Sequence, residues 1–422
     1  MSRPGCGRDG DFGADVFSGD SGHDCRERRD CCVRASPAVR EQRVPRLRAH
    51  WSRRTSVIAP AAYAAPAAGS RAGTDAPAWV LVESLADAAP RWVLAEGTRP
   101  RRFTRLSRTR IAGSATVSRQ LPALLERVIT SGQRQVLAVS RPSGGGMRVV
   151  AVPVLGPDQT VCAVHVWSGP PQSAVPALPE VGVWAWVAAD GGFVGTTCKL
   201  EHLLDSGADA ATTRALPDLM RHFERIEDQP GLLGLFAETT AEPRLWSGTA
   251  VTAGVSSGRR RHVSIAACGS GRGRERTVRA VVHDIGASCP VPAPALATRL
   301  IQAVPIPPDH AVGLVDLRTG LVHEWISQGS PPLNRWLRDV PVVHPRDVAG
   351  LACVRKRLLS GDDTAHSQWR MRWGVADWFS VHARWSVLTR GEAPQAMLDV
   401  RLGVRHACQR NVPGEQSRLE AV

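Results

Sequence analysis

The chain has almost no lysine and almost no tyrosine. Among 53 basic residues only Lys199 and Lys356 are lysines, and Tyr63 is the single tyrosine. Nearly all the positive charge is therefore arginine. Alanine, glycine, proline and valine are abundant while asparagine and isoleucine are scarce. GC-rich coding DNA produces that pattern, so the net charge of +14 is weak evidence for a nucleic-acid partner. No segment approaches the ~20 uninterrupted apolar residues that span a bilayer, so no membrane association is expected. Signatures of chemistry are lacking too. GSGRGRER at 269–276 has neither the Gly–Lys–Ser/Thr ending nor the strand–helix context of a phosphate loop. There is no kinase signature set, no GGDEF stretch and no helix-turn-helix.

None of the ten cysteines forms a CxxC pair. Cys6, Cys25, Cys31 and Cys32, with His23, invite a metal reading, but adjacent Cys31 and Cys32 suit one tetrahedral site poorly. The other six are scattered singly. In runs such as SIAACG and GLACV they read as small buried hydrophobes, which suits a reducing cytoplasm. No cofactor and no catalytic residue is assigned.

What is present is repetition. Residues 182–197 read GVWAWVAADGGFVGTT and residues 311–325 read AVGLVDLRTGLVHEW. Each is a short apolar strand, a polar turn containing glycine, and a second strand. Each unit then closes on a similar apolar strand, AVVHDIG at 280–286 and AMLDVRLG at 396–403. The 422 residues suffice for about three domains at ~100–200 residues each. Residues 1–75 lack sustained periodicity and are expected to be a disordered leader, including SRRTSVIAPAAYAAPAAG at 52–69, the nearest approach to an export signal. The expected modules are 76–168, 181–288 and 310–403, separated by Pro-rich stretches, with a tail at 404–422.

Periodicity predicts helices at 121–132, 216–226, 231–238, 295–304 and 344–361. Asp347 falls in the first turn of the last one and Gly361 just past its end. Three strands close each module. The predicted class is α+β, with each antiparallel sheet carrying helices on one face.

At this point the residues resemble a known family. HPRD at 344–347, followed by a helix, a glycine and three strands, looks like the core of a PAS sensor domain. GVWAWVAADGG and RAVVHDIG place the 181–288 module beside it, although that module has LPDL at 216–219 where HPxD is expected. RVVAVPVLGPDQTVCAVHVWSG in the first module is similar to the end of a GAF or PAS domain. The order of the three resembles an actinobacterial, largely mycobacterial, family of stand-alone triple-sensor proteins. The resemblance implies a non-enzymatic cytoplasmic sensory protein that binds a small molecule or a signalling partner, or pairs with a second copy as a homodimer.

Trp184, Trp186 and Trp325 are the candidate pocket residues. Trp184 and Trp186 lie two apart on a strand and so share a face, where they can line a pocket for a planar ligand or fill a core. His344 is a candidate switch or a helix-start residue. His165 and His382 sit on strands without a matching nucleophile. The glycines at 143–146 read as a hairpin turn. The alternative function rests on RPRRFTRLSRTR at 99–110, an Arg-rich run able to contact phosphates.

Overall fold

Every described strand pairs antiparallel, and most of the apolar runs expected to be strands are strands. The computed structural model describes residues 78–403 apart from 87–90, 110, 112–114, 141–145, 209, 238–240, 295–304 and 392. The leader, the N-terminal cysteines, the 295–304 helix, most of the 143–146 turn and the tail lie outside the described residues.

The first sheet contains β1 (Val80–Glu83), β2 (Trp92–Glu96), β3 (Arg99–Arg105), β4 (Gln135–Ser140), β5 (Gly146–Leu155) and β6 (Val161–Gly169), in the order β3-β2-β1-β6-β5-β4. The second contains β7 (Val181–Val187), β8 (Phe193–Thr196), β9 (Thr213–Ala215), β10 (Phe223–Ile226), β11 (Arg244–Thr252), β12 (His262–Ser270) and β13 (Thr277–Asp284), in the order β10-β11-β12-β13-β7-β8-β9. The third contains β14 (His310–Asp316), β15 (Val322–Gln328), β16 (Val342–Val343), β17 (Thr364–Arg372), β18 (Phe379–Thr389) and β19 (Gln395–Leu402), in the order β15-β14-β19-β18-β17-β16. In all three the closing strand returns beside the first strand of the opening hairpin, pairing β6 with β1, β13 with β7 and β19 with β14. The repeat in sequence is thus a repeat of strand order.

The hairpin turns need backbone that glycine tolerates. Gly191 after β7 has φ 73° and Gly320 after β14 has φ 77°, both left-handed.

The α+β expectation is overturned. The protein is mostly β, with three large antiparallel sheets, two of them curled into half-barrels. Helices are few among the described residues: α1 (Ala115–Ser131), α2 (Cys198–Leu204), α3 (Leu216–Met220), α4 (Gln229–Leu233) and α5 (Pro345–Ser360). The helices expected at 216–226 and 231–238 shrink to the five-residue α3 and α4. Phe223–Ile226, inside the first of them, instead pairs with β11 as an edge strand.

The reason lies in how the sheets are covered. One face of the first sheet takes α1, through Val117, Leu121, Leu124, Leu125 and Val128 against Val80, Val82, Val164 and Val166. Its other face packs on the second sheet, where Leu81, Leu94, Cys162 and Ala163 meet Val181, Val183, Ala266, Cys268 and Val281. A strand buried on both faces is apolar at both parities. β1 is buried throughout, and β12 at every position but Ser270. The remaining face of the second sheet takes α2 to α4 with Trp184, Trp186 and Phe236. Close approach there depends on Gly182, where an added Cβ would lie 2.5 Å from the Leu200 Cα.

α5 starts as its sequence indicates. The His344 side chain caps it, Nδ1 accepting from the Arg346 N–H at 3.2 Å, and Gly361 ends it. Asp347 does more than sit in the first turn. Its carboxylate accepts from the Arg370 backbone N–H at 2.8 Å and from the guanidinium at 3.0 and 2.9 Å, tying helix to β17. Those hydrogen bonds hold the Asp347 carboxyl down at about 2. Cys162 and Cys268 are buried as read, but Cys353 in GLACV is exposed, because it lies on the side of α5 opposite Val354 and Leu358, which face the core.

Candidate functional site

α3 and α4 of the second unit meet the opening hairpin of the third sheet. α3 packs against β15, Leu321 reaches the second core, and Gln229 Nε2 lies 3.4 Å from Nδ1 of His323 on β15. His323 is fully buried there, and burial pushes its imidazole down to about 4, so it is neutral at physiological pH.

Beside this contact is a cleft of about 590 Å³. The second unit contributes Trp186, Ala188, Phe236, Ala237, Gly273 and Arg276. The third contributes Arg318, Thr319, Leu321 and Leu359. Trp186 and Ala188 lead into the turn of one repeat motif, and Arg318, Thr319 and Leu321 form the turn of the other. The two copies of the repeated hairpin therefore both contribute residues to one cleft.

The walls are set by local chemistry. Phe236 packs edge-on to Trp186 with centroids 5.1 Å apart, and stacks on Trp184 at 6.2 Å. Arg276, 1% exposed, fixes the Phe236 segment from behind. Its Nε and Nη2 donate to the Leu235 carbonyl at 3.0 and 2.5 Å, and Nη1 donates to the Gly271 carbonyl at 3.1 Å. On the facing wall Asp316 closes the turn, its Oδ1 accepting from the Thr319 N–H at 2.8 Å and hydroxyl at 2.7 Å. Arg355 supports that turn by donating to the Arg318 carbonyl at 3.2 Å. Burial lowers the Arg355 pKa, partly offset by the Asp316 charge. The exposed Arg318 side chain reaches the Gly391 carbonyl at 3.2 Å.

The sequence-derived candidates fall in two places. Trp184 and Trp186 lie together around Phe236, with Trp184 2% exposed in the core and Trp186 at the cleft wall. Trp325 is elsewhere, half-buried against Trp336 at 5.0 Å in the third core. His165 is buried on β6, and His382 lies on β18. Of the 99–110 run, 99–105 is the edge strand β3, where Arg101 pairs with Glu96 and Arg102 approaches Glu227 of the second unit at 3.6 Å. Among the described residues, no cluster of three or more His, Cys, Asp or Glu side chains is placed to hold a metal ion. No described helix is long and apolar enough to cross a membrane.

Sequence reasoning missed Arg276, Arg318 and Leu359. Arg276 ends the glycine–arginine run dismissed as a phosphate loop, and nothing local marks it as buried. It also missed a buried polar cluster in the second unit. There Arg214 donates to Glu201 at 2.5 Å and to Asp218 at 3.1 Å, and meets His222 Nε2 at 2.9 Å. Thr196, Thr212 and Ser206 hydroxyls also donate to Glu201. The cluster is enclosed and joins α2, β9 and α3; its chemistry is structural.

Comparison with known proteins bears on the fold. A crystal structure of an uncharacterized protein from Mycobacterium tuberculosis is similar to this chain with a TM-score of 0.59 at 19% identity, covering 78% of this chain and 97% of that one. At that identity the likeness shows the fold alone. An RNA-binding Light-Oxygen-Voltage receptor aligns with a TM-score of only 0.20 at 11% identity, over 52% of this chain and 94% of that one, and carries no argument. A search of curated proteins found no match. Residues 78–177 match the Rv3651-like N-terminal family model, which with the mycobacterial structure supports an actinobacterial protein.

Proposed function

We propose that this chain is a non-enzymatic cytoplasmic sensory protein that takes a small molecule into the cleft between its second and third sheets and passes the change to a protein partner. One observation carries the reading: both repeated hairpins contribute to one concave site lined by Trp186, Phe236, Leu321 and Leu359, with Arg276 and Arg318 among the described lining residues. Ligand sites are concave, mostly apolar and about 300–1,000 Å³ in volume. Among the described residues lining it, the one hydroxyl, on Thr319, is engaged by Asp316. That favours binding over catalysis.

The PAS-like and GAF-like resemblance belongs to this proposal and rests on the HPRD and closing-strand motifs. The shared strand order supports three copies of one module. A ligand wedged between two modules acts on their relative packing, which is a direct route from binding to signal. Nucleic-acid binding through 99–110 is the alternative reading; within that run Arg101 pairs with Glu96, and Arg102 lies 3.6 Å from Glu227.

The test is native mass spectrometry of the full-length protein beside a Leu359→Asp variant. Leu359 is 45% exposed, so the variant keeps its core. A co-purifying small molecule present on the parent and lost from the variant supports the reading. A ligand retained equally by both places the site elsewhere.

A further inference from the structure

We infer that the chain self-associates through β4: the strand pairs antiparallel with β4 of a second copy about a two-fold axis, joining two first sheets into one. The inference goes beyond the cleft reading and does not depend on it.

A strand at the margin of a sheet offers unpaired N–H and C=O groups to any other strand. Proteins blunt such margins with charge, proline, bulges, short length or a covering element. Three sheets have six margins, and five of them are blunted in these ways. β3 carries four arginines and Pro100. β9 is three residues long, and β10 is four, with Glu224, Arg225 and a broken register. β15 is twice shifted in register and lies against α3. β16 has two residues, and beyond it α5 engages the Arg370 N–H through Asp347 and the Arg370 carbonyl through the His344 N–H. β4 is the exception. QVLAVS at 135–140 has six residues, no charge and no proline, and it pairs with β5 in unbroken register. Among the described residues nothing pairs with its other side.

The occupant follows from the strand's own sequence. Leu137 and Val139 face the first core, while Val136 and Ala138 point to the opposite face and are exposed. A two-fold axis through Ala138 sets Leu137 against the partner's Val139, Ala138 against its own copy and Val136 against the partner's Ser140. Apolar meets apolar on the core side, and no charge is buried. Leu137 packs on the first core yet stays half-buried at this margin, and the second copy covers it. α1 lies over β4 and β5, so the axis brings the two α1 helices on the order of 10 Å apart, the spacing of packed helices. A groove of about 390 Å³ between α1 and the start of β4 is lined by Glu126, Arg127, Thr130, Ser131 and Gln135. It holds one charge of each sign, so two such grooves meet without a like-charge clash. Arginines flank the strand in sequence at 134 and 141, as charges that confine pairing do. A two-fold pair uses the free margin of both strands and stops at two copies.

Sedimentation velocity of the full-length protein between about 1 and 100 μM tests the inference; a strand contact about 20 Å long is small, so the dimer should dissociate in the micromolar range. Ala138→Lys sets two lysines face to face at the axis, beside Arg148 on β5, and should weaken the dimer by about tenfold or more. Ala138 is exposed, so the monomer keeps its fold, which far-UV circular dichroism checks. Labelled Ala138→Lys protein titrated with Ala138→Glu should associate to within about threefold of the parent, because opposite charges then meet at the axis. That recovery separates pairing in this register from a general loss of association. The inference is overturned if the parent stays monomeric at about 100 μM, as it would if another segment of the chain covered β4. It is also overturned if Ala138→Lys associates like the parent, or if the mixture fails to recover. None of these results bears on ligand binding in the cleft.

Discussion

The guanidinium of Arg276 donates two hydrogen bonds to the carbonyl of Leu235, from Nε at 3.0 Å and from Nη2 at 2.5 Å. A residue of the β12–β13 connection thereby anchors the segment that carries Phe236, and with it one wall of the cleft. The link joins positions 41 residues apart.

Replacing Arg276 by methionine keeps much of the volume and removes every donor. The buried Leu235 carbonyl and the partly buried Gly271 carbonyl lose these donors, at a cost of about 2–4 kcal/mol. Urea unfolding of Arg276→Met measures it. A loss below about 1 kcal/mol would show that water or another donor takes over.

Gly269 tests the same link sterically. A Cβ added there would lie 2.7 Å from Arg276 Nη2 and 2.7 Å from the Leu235 carbonyl oxygen. Gly269→Ala should destabilise the protein by about 1–3 kcal/mol. Gly350 in α5 is the control, since a Cβ there meets nothing within 4 Å. Gly350→Ala should stabilise by about 0.5–1 kcal/mol, because alanine loses less freedom in a helix. Melting temperatures of the two variants should move in opposite directions.

The Glu201–Arg214 pair should be strongly stabilising against removal of one partner. Arg214→Ala strands a fully buried carboxylate and should cost about 3–5 kcal/mol. Burial pushes the Glu201 carboxyl up, but the Ser206, Thr196 and Thr212 hydroxyls and the Arg214 charge outweigh it, and the net shift is downward from 4.5. A depressed folded-state value means stability present above about pH 4.5 and lost as the pH falls through the folded value. Glu201→Gln should flatten the stability profile in that acid range, which chemical denaturation at stepped pH will show.

Histidines give a second, separate pH window. His165 and His283 lie in the packed first and second sheets, 3% and 4% exposed. Burial lowers both to about 4 from 6.5, with Lys199 and His283 adding to the effect on His165. The folded protein needs them neutral, so their contribution is complete above pH 6.5 and declines as the pH falls toward 4. Each should account for about 2 kcal/mol of stability lost between pH 7 and pH 5. His283→Leu should reduce that loss by about one such increment. An unchanged slope would show that the site opens to water before it protonates.

Much of the local structure could be read in the chain. The glycine turns of both hairpins, the His344 cap, the Gly361 stop and the shared face of Trp184 and Trp186 are all set within a few residues. The helices at 216–226 and 231–238 misled because their apolar spacing was real, but Phe223 and Ile226 found partners on β11. The fold class misled for a similar reason. Runs such as RHVSIAACG are apolar at both parities, and that pattern signals a strand covered on both sides without saying by what. Here one cover is another sheet and the other is short helices, so the sheet does not simply carry helices on one face.

The sequence by itself determined the repeated hairpin, the strand-rich closing half of each unit and the positions of the sharp turns, because these depend on backbone preference and alternation over short spans. Only the tertiary structure decided that the first and second sheets face each other, and that Trp186 of one hairpin and Arg318 of the other share a cleft. Those facts rest on contacts between residues on different sheets, many of them far apart in the chain. Burial of apolar surface drives such contacts without direction, so short-range pattern cannot name the partner.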